Sequence, residues 1–160
     1  MLCLVASHFC CAGQTEEPRR EAEYYVAAYA RHYNVPLEFV RAVVEQESGW
    51  QRCLVSSKGA AGLMQLMPGT ATRLKVRNRC DINQNVSGGV RYLAWLMSRF
   101  HGDLRLVAAA YYAGENNIQR RGLRYSNPDV VAYVASVRER FAHQKKLGSA
   151  NLQRTPGRIR

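Results

Sequence analysis

The stretch PLEFVRAVVEQESGWQ, Pro36 to Gln51, decides how this chain is read. At about 100° per residue, Leu37, Val40, Val43, Val44 and Glu47 fall on one face of a helix, and Glu38, Arg41 and Glu45 on the other. Asn34 and Pro36 punctuate the chain and open the helix, and Gly49 marks its end. Four hydrophobes and an acid therefore share the core-facing stripe, and Glu45 reads as an ordinary solvated residue.

Two effects act on a carboxyl in the position of Glu47. Burial disfavours its ionised form, and so does the negative end of the helix dipole. Both raise its pKa, which suits a general acid that must hold a proton near neutral pH. On pattern alone a second reading stays open, a structural glutamate tied to a backbone or arginine partner.

Working outward, 160 residues with 47% hydrophobic content fit one globular domain with a real core. No apolar run approaches the roughly 20 residues of a membrane helix. The formal charge of +11, from 23 basic and 12 acidic residues, favours an acidic partner without choosing among nucleic acid, anionic membrane and anionic polymer. Residues 19–33 are rich in helix formers. Val90, Leu93, Met97 and Phe100 keep helical spacing, Leu104 to Ala113 reads as a buried helix, and Asn127-Pro128 reads as an N-cap before the stripe Val130, Val134, Val137 and Phe141. No segment reads as a strong strand. The basic residues 143–160 read as a frayed, disordered tail.

Residues 1–13 resemble the apolar region of a secretory signal, with a buried N-terminal segment as the alternative. Cys3, Cys10 and Cys11 fall inside it. Cys53 and Cys80 remain as a disulfide candidate for an oxidising compartment, or as two separate thiols.

Among the acids, no pair has the spacing of two cooperating carboxylates. His8, His32, His101 and His143 are scattered without metal-ligand spacing, so neither a metal nor a cofactor is expected. An enzyme built on this chain works with one carboxyl group. Downstream, SSKGAAGLMQLMPGTATRL carries glycines that permit close backbone approach, and Ser56, Ser57 and Gln65 offer neutral hydrogen bonds. That surface suits an uncharged sugar better than a phosphate; the plainer reading is a connecting loop with a short helix.

These residues also carry a family resemblance. Glu47-Ser48-Gly49, then Ser56, then GAAGLMQLMPGTA (Gly59–Ala71) resemble the signature of soluble lytic transglycosylases. NVSGGVRYL (Asn85–Leu93), AAYYAG (Ala109–Gly114) and NPDVVAYVASV (Asn127–Val137) resemble three further motifs of that family, in order. The resemblance implies a mostly α, single-domain, goose-type lysozyme-like fold over residues 20–142, with a groove-shaped active site. It implies Glu47 as the one catalytic acid/base, cutting between N-acetylmuramic acid and N-acetylglucosamine and leaving a 1,6-anhydro end. Ser48, Ser56, Met64, Gln65, Tyr111, Tyr112 and Tyr133 are the implied substrate residues, with Met64 lining the groove and Tyr111 and Tyr133 orienting Glu47. The implied partner is peptidoglycan in the periplasm or another exported location, not nucleic acid. The small size resembles members that accompany secretion or conjugation machinery.

The chain departs from the pattern where Tyr112 replaces the asparagine of the family's A-Y-N-A-G motif, and where Gln51-Arg52 replaces a common Asn-Pro. Two rival readings are a hydrolytic lysozyme on the same fold and a non-catalytic basic binding module.

Overall fold

The computed structural model describes the backbone of residues 13–124 and 126–154, so the expected signal segment lies almost wholly outside the described residues. Among the described residues seven α-helices follow one another: α1 Gly13–His32, α2 Leu37–Ser48, α3 Pro68–Arg73, α4 Ile82–Arg99, α5 Leu104–Ala113, α6 Glu115–Arg121 and α7 Pro128–Arg154. Two isolated antiparallel bridges, Val55 with Ala61 and Ala61 with Leu66, tie the α2–α3 loop; the described residues form no strand ladder. No described helix is long and apolar enough to cross a membrane.

The stripe on α2 is the centre of the core. Val40, Val43 and Val44 are fully buried, and α2 packs between α1 and α7. Gly49 takes φ +56° as the C-cap and its N–H donates to Glu45 O at 3.1 Å, which ends the helix at Ser48. Helices α4 and α5 complete the core through Val90, Leu93, Leu96, Val107 and Ala110. Burying such side chains stabilises the fold by roughly 1.5–3 kcal/mol each before chain entropy is counted. The caps are the expected kind: Asp81 accepts from Gln84 N, Asp103 from Arg105 N, and Asn127 Oδ1 from Asp129 N at 2.9 Å.

Two expectations change. Helix α7 continues through residues 143–154, where the sequence reads as a frayed tail; residues 155–160 lie outside the described residues. Its extension is held by polar contacts that hydrophobic periodicity does not register. Gln144 Nε2 donates to Glu45 Oε2 at 3.2 Å, and about two turns earlier on the helix Ser136 Oγ donates to Gln46 Oε1 at 2.6 Å. For the same reason Glu45 is half-buried under α7 rather than fully solvated.

The α2–α3 loop is long, yet it is pinned. Cys53 and Cys80 form a disulfide with Cα atoms 4.7 Å apart. Fully buried Asn85 on α4 accepts from Met64 N at 2.8 Å and donates to Ala61 O at 3.0 Å and Arg79 O at 2.8 Å. Gly62 sits at φ +85° against this amide; a Cβ there would lie 2.2 Å from Asn85 Nδ2 and 2.1 Å from Arg79 O, so only glycine fits.

Candidate active site

Glu47 occupies the last turn of α2, and its apolar-face position brings it against α7. Tyr133 Oη donates to Glu47 Oε1 at 2.5 Å. Burial pushes the Glu47 carboxyl up from an ordinary 4.5 to about 7, and the Tyr133 hydrogen bond offsets part of that rise by favouring the ionised form. A carboxyl poised there is half-protonated at neutral pH, so it can give a proton and take one back. Tyr133 is itself buried, and the same surroundings raise its phenol well above the usual range, so it stays a donor.

The wall beside this pair is aromatic. Half-exposed Tyr112 stacks on Tyr133 with ring centroids 4.8 Å apart. Tyr111, its neighbour on α5, donates to Met64 O at 2.8 Å and packs against Tyr92 at 5.5 Å. Tyr111 and Tyr112 line an open cleft of about 250 Å³ with Gln65, Arg73, Tyr92 and Glu115. Glu47 stands one ring behind that wall, reached through Tyr133.

The other expected site residues are used in different ways. Gln65 lines the cleft at φ +44°, but its Nε2 donates to Leu54 O at 2.7 Å and Gly62 O at 3.0 Å, leaving its carbonyl oxygen for a ligand. Met64, expected to line the groove, is fully buried; its sulfur fills the space above Gly89, where a Cβ would lie 2.3 Å away. What Met64 gives the site is the backbone oxygen that fixes Tyr111. Ser48, expected to touch substrate, is 3% exposed and its hydroxyl is committed: it donates to Val44 O at 3.2 Å and accepts from Trp50 N at 3.1 Å. Ser56 Oγ accepts from Ala60 N at 3.0 Å and shapes its own turn. No group of three or more metal-ligating side chains occurs among the described residues.

The structure adds a second acid that sequence reasoning set aside. Glu115, the first residue of α6, accepts from Arg73 Nη1 at 2.6 Å and from Tyr92 Oη at 2.7 Å. Arg73 beside it, with a lesser part from Tyr92, holds its carboxyl down at about 2, and the first turn of a helix favours the same charge. Its three members lie 42 and 23 residues apart, so no local spacing betrays them. The available signal was placement: Glu115 directly follows AAYYAG, and Tyr92 lies inside NVSGGVRYL.

The family model described as "Transglycosylase SLT domain" matches residues 24–132. The transglycosylase of Enterobacteria phage PRD1 is 40% identical over 91 residues, covering 57% of this chain and 34% of its own. The soluble lytic murein transglycosylase of Escherichia coli K12 is 31% identical over 120 residues, covering 68% of this chain and 19% of its own. The crystal structure of the 70 kDa soluble lytic transglycosylase of Escherichia coli superposes with a TM-score of 0.69 at 24% identity, over 77% of this chain and 24% of that one. The chain thus spans between about a fifth and a third of the length of these relatives.

Proposed function

Since this chain belongs to the transglycosylase SLT domain family, we propose that it is a lytic transglycosylase acting on peptidoglycan, with Glu47 as its one acid/base. The observation that carries the reading is the carboxyl of Glu47, held near pKa 7 by burial behind a tyrosine-walled cleft.

In its protonated form Glu47 gives its proton to the oxygen joining N-acetylmuramic acid C1 to N-acetylglucosamine. The C1–O bond breaks and the electron pair leaves with that oxygen. Positive charge then develops at C1, and the substrate's own acetamide oxygen stabilises it, as in substrate-assisted glycosidases. The Glu47 carboxylate next takes the proton of the C6 hydroxyl as that oxygen bonds to C1. The product is a 1,6-anhydro ring, and Glu47 is again protonated. One acid suffices because the proton it loses in the first half returns in the second.

Tyr133 moderates the strength of that acid, which burial sets, and its direct hydrogen bond to Oε1 holds the carboxyl in place. Tyr111 and Tyr112 offer ring faces to sugar C–H groups, and the free amide oxygen of Gln65 accepts from a hydroxyl or acetamide N–H. Glu115 is no second catalytic acid, since a carboxylate held at about 2 keeps no proton to donate at neutral pH. The charge of +11 favours encounter with a substrate that carries carboxylates on its stem peptides, and added salt should slow that encounter. We place the action in an exported, oxidising compartment, in keeping with the Cys53–Cys80 disulfide. A role in opening the wall locally for a secretion or conjugation apparatus belongs to the same proposal.

Purified sacculi digested with the protein and resolved by mass spectrometry test the reaction. Muropeptides ending in 1,6-anhydro-N-acetylmuramic acid are expected. Reducing ends would make the protein a hydrolase on the same fold, and no released muropeptide would remove the enzymatic reading.

A further inference from the structure

The cleft does not stop at Glu115. Arg73 and Tyr92 line both it and a second depression of about 330 Å³, whose remaining wall is Leu74, Arg91 and Trp95. Trp95 lies one helical turn after Tyr92 on α4, so the two rings share a face and run nearly parallel, at 6.0 Å and 15°. Tyr92 is 6% exposed and Trp95 46%, so the aromatic row rises from the cleft floor into solvent. Of the seven large hydrophobic side chains exposed among the described residues, Met67, Trp95 and Tyr112 line these two cavities. Arg73 completes the row: its guanidinium, fixed by Glu115 at 2.6 Å, sits 5.1 Å from the Tyr92 ring centre and 5.9 Å from that of Trp95. The Glu115–Arg73–Tyr92 cluster, which the chemistry at Glu47 does not use, therefore holds a cation against an exposed indole.

We infer that this depression is a second sugar platform, on which Trp95 stacks a pyranose ring of the glycan strand beyond the bond being cut, with Arg73 donating to its hydroxyl or acetamide oxygens. The inference rests on the substrate class proposed above. Three features select a sugar. A pyranose offers a face of weakly positive C–H groups to the negative face of an indole, and a rim of acceptors to a guanidinium. The depression continues the candidate cleft through two shared residues. And the cleft, at about 250 Å³, is smaller than the roughly 300–1,000 Å³ that enclose a drug-sized ligand, so a polymer seated in it must run onward along the surface.

The test uses the Glu47→Gln protein, which binds without turnover, and peptide-free glycan strands of graded length measured by calorimetry. Affinity should climb with length and then level off. Trp95→Ala should remove the last gain, about tenfold in Kd for long strands, so that long and short strands bind more nearly alike. Trp95→Phe should restore most of it, and Tyr24→Ala, an exposed tyrosine lining neither cavity, should leave the curve in place. Because Trp95 is half-exposed, thermal melts of these variants should match the parent. An unchanged length dependence in Trp95→Ala overturns the inference, and so does a Trp95 effect seen only with strands that keep their stem peptides, since the platform would then read peptide. The outcome is separable from the proposed reaction: wild type releasing anhydro-muropeptides while Trp95→Ala keeps its length dependence leaves the reaction standing and removes the platform. A wild type that releases nothing while glycan binding still depends on Trp95 does the reverse.

Discussion

Glu47 and Glu115 are the same residue type at the two ends of one tyrosine-lined region, and the fold drives them in opposite directions. Glu47 ends a helix, loses water and gains one phenolic donor; its pKa rises to about 7. Glu115 begins a helix and gains a guanidinium as well as a phenol; its pKa falls to about 2. Both accept from a tyrosine, so the tyrosine does not decide the matter. Position relative to the helix dipole, burial and one arginine do. The two carboxyls therefore differ in kind: one lies where it can exchange a proton at neutral pH, and the other is a standing charge beside Arg73 and Tyr92.

The comparison breaks hardest at Glu47. Glu47→Gln keeps the shape and an acceptor for Tyr133 but has no exchangeable proton, and it should lower the rate of muropeptide release by about a thousandfold. The same change should stabilise the protein at high pH. A carboxyl whose folded pKa lies above its unfolded 4.5 gives stability that is complete below 4.5 and lost as pH rises through about 7. Parent and variant should therefore diverge above pH 5, by about 3 kcal/mol at most near pH 8, in melts followed by circular dichroism. Equal melts at every pH would mean that Glu47 titrates normally.

Tyr133→Phe sharpens the contrast. The phenol favours ionised Glu47, so removing it should move the falling limb of the pH–rate profile to higher pH while lowering the maximal rate about tenfold. A limb moving to lower pH would reverse the assigned role. Glu115→Gln should act more weakly, because Arg73 is half-exposed and water screens the pair. A depressed carboxyl gives stability above 4.5 that is lost as pH falls toward about 2. The variant should be about 1 kcal/mol less stable at pH 7 and equal to the parent near pH 2, as read by urea titration.

Most of the helices, and the apolar-face position of Glu47, were legible because they rest on local periodicity; α6 carries no such stripe and was not read. Glu47 stood out as an acid on the stripe of Val40, Val43 and Val44, whereas Tyr133 came only with the family resemblance. Glu115 was not legible, since its meaning depends on Arg73 and Tyr92, which come from two other helices. The second half of α7 was missed for a related reason: Gln144–Glu45 and Ser136–Gln46 are polar contacts between helices distant in sequence. Met64 and Ser48 taught a different limit. Their motif was recognisable, but whether a side chain faces a cleft or the core beneath it depends on backbone turns such as those at Gly49 and Gly62. Motif matching gave these two residues a ligand, whereas tertiary packing gave them the backbone and the core.

The bond between Tyr133 and Glu47 joins residues 86 apart in sequence. No local segment can form it, so both that bond and the burial that raises the Glu47 carboxyl wait until α2 and α7 dock. In an unfolded chain the same carboxyl returns to about 4.5, is ionised at neutral pH and has no proton to give. Acidity here is an emergent property of docking. A ribosome handling the extended chain handles an ionised Glu47, and the proton-holding carboxyl comes into being in the same step that completes the fold.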